Sequence, residues 1–344
     1  MKHTVWKRLS CILLLMALML SGLGTQYASA LTVRYFDPEP PRLLLQGSHI
    51  VLVIAGGSYT DPGYCAWDSY GNDLAAAVTV SGSVDTGTPG VYPLRYTVPD
   101  GRGGTLNACR TVYVVPPEDV PEAFSCTALS TGGTAIQPNG KTIYLTFDDG
   151  PSVYTEQLLD ILAKYGVKAS FFVIQSSHIP TIRRAAAEGH TVAIHSYSHR
   201  YSHIYANDAA FLADVQDMQD VIFQYTNQRT TLVRFPGGSS NTISSAYSRG
   251  IMSRMTKRLQ AMGYRYFDWN VDSLDASSAH SPAEVFRNVV KGIGSKANAV
   301  VLQHDTQDFS VCAVEKIIVW GLCNGYTFLP LSNDSPACHH KVCN

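Results

Sequence analysis

Two hydrophobic patterns divide the chain. From Leu31 to about Pro117, short β-branched and aromatic runs (HIVLVI, AVTVSGSV, VYPLRYTV, TLNACRTVYVV) are separated by glycine, proline, aspartate and asparagine. Runs of this length between turn formers predict strands, and PDGRGG joining the last two predicts a tight turn. Several such strands predict a small β-sandwich over residues 31–117. The proline-, serine- and glycine-rich stretch 118–140 reads as a linker. After Lys141 the pattern alternates. Strand-like runs fall at 143–148, 169–174, 191–195, 232–236, 264–271, 299–304 and 326–331. Six stretches with helical apolar spacing lie between them, among them YTEQLLDILAKYG, DAAFLADVQDMQDVIFQYT and SVCAVEKIIVWGLCNG. This alternation predicts a parallel sheet, either closed as a barrel or open and doubly wound. The first strand is not followed by a glycine-rich phosphate loop, which disfavours nucleotide binding.

Composition narrows the setting. The 344 residues carry a formal net charge of -1 with 15% charged residues, so nucleic acid is not an expected partner. MKHTVWKR, ILLLMALML and Ala28-Ser29-Ala30 read as the basic region, apolar stretch and cleavage site of an export leader, residues 1–30. The apolar stretch is shorter than the roughly 20 residues that span a bilayer. The mature chain is therefore expected to be a secreted or wall-associated monomer without a stable membrane span. It keeps seven cysteines (Cys65, Cys109, Cys126, Cys312, Cys323, Cys338 and Cys343), disulfide candidates outside the cell, with an odd one left over. The ending CHHKVCN brings Cys338, His339, His340 and Cys343 together, but adjacent histidines seldom serve one metal and exported thiols usually pair.

Side chains able to do chemistry gather at the C-terminal ends of the predicted strands. Asp148 and Asp149 end the first, His195 the third, and Arg234 lies near the end of the fourth. Asp272 and Asp275 follow the fifth, and His304 with Asp305 ends the sixth. Parallel barrels build their sites on that rim. His195 and His199 in HSYSH stand four apart, which puts both imidazoles on one face if the segment turns helical. With one carboxylate they make a site for a divalent ion such as Zn²⁺, and His203 reads as a loop residue. Of the adjacent aspartates, which point to opposite faces on an extended strand, one can complete that site while the other serves as general base. Arg234 in RFPGG can orient an aspartate and keep it ionised. The glycines after it let backbone N–H groups approach a substrate oxygen. His304 can act as general acid, oriented by a nearby carboxylate.

These segments resemble, in order, the five motifs of the polysaccharide deacetylase family with its NodB-homology domain, over residues 141–333: TFDDGPS, HSYSH, RFPGG, VDSLDA and LQH. The resemblance implies a distorted (β/α)₇ barrel and a metal-dependent deacetylase of N-acetylglucosamine in peptidoglycan or a chitin-like glycan. It implies Asp148 as base, Asp149, His195 and His199 as ligands of one divalent ion (Zn²⁺, or Co²⁺, Ni²⁺ or Mn²⁺), and Arg234 as the residue orienting the base. Gly237 would line the oxyanion site, Asp275 would tune His304 as the acid, and Leu302 would line the acetyl pocket. Ala276 departs from the family, many of whose members carry tryptophan after the fourth-motif aspartate; Trp269 is a candidate to compensate. Residues 40–116, through YTDPGYCAWDSYGNDL and the segment after it, resemble bacterial immunoglobulin-like surface modules, which implies a Cys65–Cys109 disulfide. An O-acetyl esterase acting on xylan or another acetylated glycan, and a non-catalytic cell-surface glycan-binding or adhesion protein, are the alternatives. Residues 334–344 read as a tail.

Overall fold

The computed structural model describes residues 40–100, 103–121 and 133–344. The stretch read as an export leader and Cys126 lie outside the described residues. The first part forms two sheets. β1 (Arg42–Leu45) pairs antiparallel with β3 (Tyr64–Trp67). A second sheet runs β4-β5-β6-β2-β7, with β2 (Ile50–Ile54), β4 (Thr79–Ser81), β5 (Gly90–Pro99), β6 (Thr105–Val115) and β7 (Thr134–Ala135). β5 and β6 form the antiparallel pair expected around PDGRGG, in register from Gly90↔Val114 to Pro99↔Thr105. Side chains alternate with period two, so Leu94, Tyr96 and Val98 face inward with Val112 and Val114. The same alternation turns Arg110 inward, where it is fully buried, paired with Asp61 and bonded to the Ser48 carbonyl at 3.0 Å.

That register corrects the Cys65–Cys109 expectation. With Arg110 inward, Cys109 next to it faces outward and is exposed, while Cys65 lies on β3 and accepts a hydrogen bond from Gln46 Nε2 at 3.1 Å. Both thiols are free. The stretch read as a linker also carries structure: β7 pairs antiparallel with β2, and Ile136 N–H donates to the Ile50 carbonyl at 3.0 Å. This covers an edge that would otherwise present unpaired backbone groups.

The second part is a curled parallel sheet wrapped by helices. Its strands are β8 (Thr142–Asp148), β9 (Ser170–Val173), β10 (Thr191–Ile194), β11 (Leu232–Val233), β12 (Arg265–Tyr266), β13 (Val271–Asp272), β14 (Asn298–His304) and β15 (Thr327–Phe328). The order is β12-β11-β10-β9-β8-β14-β13, with β15 on the N-terminal half of β8. This is a distorted (β/α) barrel, with ladder pairing interrupted between β12 and β13. The run 264–271 therefore breaks into two short strands. The break has a tertiary cause: Asp268 N–H donates to the Cys338 carbonyl at 2.7 Å, so the C-terminal segment takes the place of a neighbouring strand. The helices α1 (Thr155–Lys164), α2 (Ile182–Ala187), α3 (Tyr201–Ile204), α4 (Asp208–Thr226), α5 (Ile251–Ala261), α6 (Pro282–Ile293) and α7 (Asp308–Cys323) complete it. Among the described residues no helix is long and apolar enough to cross a membrane. The register sets Asp148 beside His304 on neighbouring strands and Asp272 beside Leu302.

Before β10, His190 is buried, and its Nδ1 accepts the Ala169 N–H at 3.1 Å. Burial, with the nearby Lys168 charge, pushes its pKa down to about 4 from 6.5. Between these values the unfolded chain binds a proton that the folded chain refuses, so stability falls as pH drops from 6.5 to 4. The full effect of this one group is about 3 kcal/mol. His190→Asn keeps an acceptor for Ala169 and does not titrate, so its urea midpoint should fall less than that of the wild type across this window. Equal falls would refute the assignment.

Candidate active site

Asp148, the last residue of β8, is buried at 3% exposure and accepts from Arg234 Nη1 at 2.7 Å. Arg234 follows β11 and is fully buried. Its other donors reach Thr146 Oγ1 at 2.8 Å, the Phe267 carbonyl at 2.9 Å and the Asp268 carbonyl at 3.0 Å, and its guanidinium lies 4.1 Å from the Phe172 ring centre. A planar fork that satisfies four acceptors at once holds the Asp148 carboxylate in one orientation.

Asp149 has already left the strand, with φ 67. This changes the expectation that the two acids point to opposite faces. The left-handed turn, which aspartate tolerates better than most residues, brings both toward His195. Asp149 Oδ1 lies 3.3 Å from His195 Nε2 and Asp148 Oδ2 lies 3.9 Å from the same nitrogen. His199 Nε2 is 3.2 Å from Asp149 Oδ1. Gly150 sits where any Cβ would overlap the buried Asp305 carboxylate, so the turn after the acids fits closely. Burial, with the Asp149 charge, pushes the Asp305 pKa up to about 7.

His195 and His199 do not converge through a helix. Residues 195–200 form a loop, with His199 at φ 51, and helix α3 begins only at Tyr201. The loop is tied down by Asp214 of α4. That carboxylate accepts from Ser196 Oγ (2.6 Å), Tyr197 N (2.8 Å), Ser198 N (2.9 Å) and Ser198 Oγ (2.9 Å). Removing it leaves these donors unsatisfied, so Asp214→Ala should cost about 3 kcal/mol of stability, read from the urea midpoint. Divalent-metal affinity should fall about 10- to 100-fold, read by titration calorimetry. His203 lies on α3, is exposed, and falls outside this cluster.

The cluster fits a divalent cation. Ligand atoms of Asp149, His195 and His199 lie within 4.8 Å of one another. His195 Nδ1 lies 2.9 Å from the Arg234 carbonyl, which makes it the N–H and leaves Nε2 as a lone pair directed at the cluster. Asp149 Oδ1 is buried yet makes no hydrogen bond. Burial would raise the Asp149 pKa, but the neighbouring His195, His199 and His304 hold it well below the usual carboxylate range. Burial and the nearby His195 lower that of His199, favouring its neutral, ligating form. Two imidazoles and one carboxylate suit Zn²⁺ and similar ions.

On the other side, His304 Nδ1 lies 2.8 Å from Asp275 Oδ1, and Asp275 Oδ2 accepts from His304 N at 2.7 Å and from Ser310 Oγ at 2.5 Å. Burial disfavours a charged imidazole, but the Asp275 hydrogen bond and the charges of Asp148 and Asp149 raise the His304 pKa to about 9. His304 Nε2 points toward Asp149, 3.9 Å from Oδ2. Leu302, nearly buried, lies two residues before it on β14.

The segment after Arg234 turns through Gly237 and Gly238, at φ 76 and 79. It is fixed by Asp268, whose carboxylate accepts from Ser239 N (2.7 Å), from Ser239 Oγ and from His340 N (2.7 Å). The last residues therefore strap this loop. His340 spans Trp269 O (2.7 Å) and Ser240 Oγ (3.2 Å), and Asn344 Oδ1 accepts from Gly250 N (2.7 Å). His339 stacks on Tyr266. Trp269 packs beside Gly238 and Arg234, with Nε1 3.3 Å from Asp272. Asp214, Asp268 and the C-terminal strap were not singled out as site elements from the sequence. For Asp214 a signal existed: it falls between Phe211 and Met218 on the inward stripe of α4.

Fold and site together define a barrel hydrolase scaffold whose strand ends carry an arginine-held carboxylate, a carboxylate–imidazole cluster and a carboxylate-held histidine. Residues 135–266 match the polysaccharide deacetylase family, and residues 43–114 match the Ig-like domain of bacterial surface proteins. The catalytic domain of a peptidoglycan N-acetylglucosamine deacetylase from Eubacterium rectale is 50% identical, with a TM-score of 0.59, over 61% of this chain and 98% of that one. A polysaccharide deacetylase from Bacillus cereus, Bc1974, is 32% identical with a TM-score of 0.51, over 58% and 96%. A peptidoglycan-N-acetylglucosamine deacetylase of Bacillus cereus is 32% identical over 196 residues, 55% of this chain and 68% of that protein. YheN of Bacillus subtilis is 33% identical over 173 residues, with the match spanning 58% of its length. The chain belongs to the polysaccharide deacetylase family.

Proposed function

We propose that this chain is an exported hydrolase that removes N-acetyl groups from N-acetylglucosamine residues of a wall glycan, peptidoglycan first, with a divalent cation, Zn²⁺ first, at Asp149, His195 and His199. The observation that carries this reading is the meeting of those three ligands with the Arg234–Asp148 pair and the Asp275–His304 pair at one end of a parallel sheet. Similarity to peptidoglycan N-acetylglucosamine deacetylases supports the choice of glycan, and the Ig-like surface module supports a location outside the cell.

A cation held by this cluster supplies Lewis acidity to a water and to the acetamido carbonyl. Asp148, fixed by Arg234, takes the proton of the attacking water. The Gly237 amide donates to the carbonyl oxygen as it gains charge. His304, protonated at neutral pH by virtue of its Asp275 bond, gives its Nε2 proton to the nitrogen as the C–N bond breaks. Acetate and a free amine leave. Leu302 lines the space for the acetyl methyl.

Acetate release from purified peptidoglycan, chitooligosaccharides and acetylated xylan tests the substrate. Release from N-acetylated glycans supports the proposal. Release from xylan alone would replace it with an O-acetyl esterase, and glycan binding without release would leave an adhesin.

A further inference from the structure

Tyr201, two residues beyond His199, opens helix α3 and turns its hydroxyl onto the Gly237 backbone. A Cβ added to Gly237 would come within 2.6 Å of Tyr201 Oη. The glycine thus answers two demands: a left-handed backbone at φ 76, and room for a phenol hydroxyl where a side chain would otherwise stand. The Tyr201 ring is wedged edge-on between the His199 imidazole, 5.8 Å between centres, and the Tyr205 ring, 5.5 Å. Tyr205 is itself fixed, fully buried with its hydroxyl donating to the Pro236 carbonyl at 2.7 Å. The Tyr201 hydroxyl is therefore held between a ligand of the proposed cation and the glycine loop.

Hydrogen bonding sets this hydroxyl apart. Along the same loop, Gly238 N–H donates to the Phe235 carbonyl (2.7 Å), Ser239 N–H to Asp268, and Asn241 Nδ2 to the Pro236 carbonyl (3.0 Å). Among the described residues, the Gly237 N–H and the Tyr201 hydroxyl have no protein partner. Gly237 thus carries one free backbone donor and has a free side-chain donor against it, the latter on a ring 5.8 Å from the His199 imidazole. Donors placed together in a partly buried site are suited to an oxygen that gains negative charge during reaction.

We infer that the Tyr201 hydroxyl is a second hydrogen-bond donor to the acetamido carbonyl oxygen, acting beside the Gly237 amide. The inference rests on the deacetylase reading and deepens it, adding a side-chain donor to the polarised carbonyl. The bond strengthens as the oxygen becomes anionic, so its loss should appear in kcat more than in KM.

Tyr201→Phe removes one oxygen and keeps the ring against His199 and Tyr205, so folding and the ligand cluster are preserved. With N-acetylated chitooligosaccharide, kcat should fall about 10- to 100-fold, with KM changed less than about 3-fold and bound metal unchanged. Wild-type kcat in the variant would overturn the inference, and so would a raised KM at unchanged kcat, because ground-state binding alone is not oxyanion stabilisation. Failure of the wild type itself to release acetate from N-acetylated glycan would instead overturn the deacetylase reading, and this inference with it.

Discussion

Asp148→Asn is expected to lower acetate release by about 100- to 10,000-fold while leaving metal stoichiometry at the wild-type value. Asparagine keeps the shape of aspartate and an oxygen that can accept from Arg234 Nη1, so the side chain stays in place. It loses the ability to take a proton from water, which is the role assigned to Asp148. Stability falls as well, because Arg234 then holds a buried charge without its counter-ion. Removing one partner of a buried pair costs about 3–5 kcal/mol, although Thr146 and the two backbone carbonyls continue to accept from Arg234. Kinetics at a temperature well below the variant's Tm, with metal content measured on the same sample, separate the two effects. An Asp148→Asn enzyme with more than a tenth of wild-type kcat would take the base role away from this residue.

The largest stability effect is expected at Arg234. Arg234→Met leaves the Asp148 carboxylate 3% exposed without its cation, and removes the donor shared by Thr146 and the carbonyls of Phe267 and Asp268. Breaking a buried pair from the cationic side should cost about 3–5 kcal/mol, with acetate release falling along with it. Arg234→Lys tests whether charge or shape matters more. An ammonium restores the charge but cannot span Asp148 and two carbonyls with a planar fork. Its urea midpoint should lie between those of Arg234→Met and the wild type. A lysine variant equal to wild type in both stability and kcat would show that the fork geometry carries nothing.

The groups that could be read from the sequence sit at strand ends. Asp148, His195 and His304 each close an apolar, β-branched run, and a parallel sheet delivers such residues to one rim whatever the helices do. The register Asp148↔His304 then follows from two adjacent strands of equal length. Local chain geometry was harder to read. His195 and His199 stand four apart, yet they meet through a loop because Asp214, on a helix that follows, takes both Ser196 and Ser198 hydroxyls and two amides. Four aspartates punctuate that helix, and only the inward stripe marks Asp214 among them. The split of the 264–271 run was hidden for a different reason. It depends on Cys338 and His340, about seventy residues away, pairing with Asp268. The ending CHHKVCN has no periodicity to foretell that contact. Tyr201 was invisible because its significance depends on the empty side of Gly237, a distance in space with no counterpart in spacing.

The dependence of acetate release on a cation held by Asp149, His195 and His199 is the core of the proposed function. Its most direct test follows metal content and acetate release together on one sample of the wild-type chain, first stripped by chelation and then titrated with Zn²⁺, alongside a His195→Ala/His199→Ala variant. Activity should be lost with the metal, return in step with one bound equivalent, and return in the variant at no Zn²⁺ level that leaves it folded. Undiminished acetate release from the stripped wild type, or from the double-histidine variant, would contradict it.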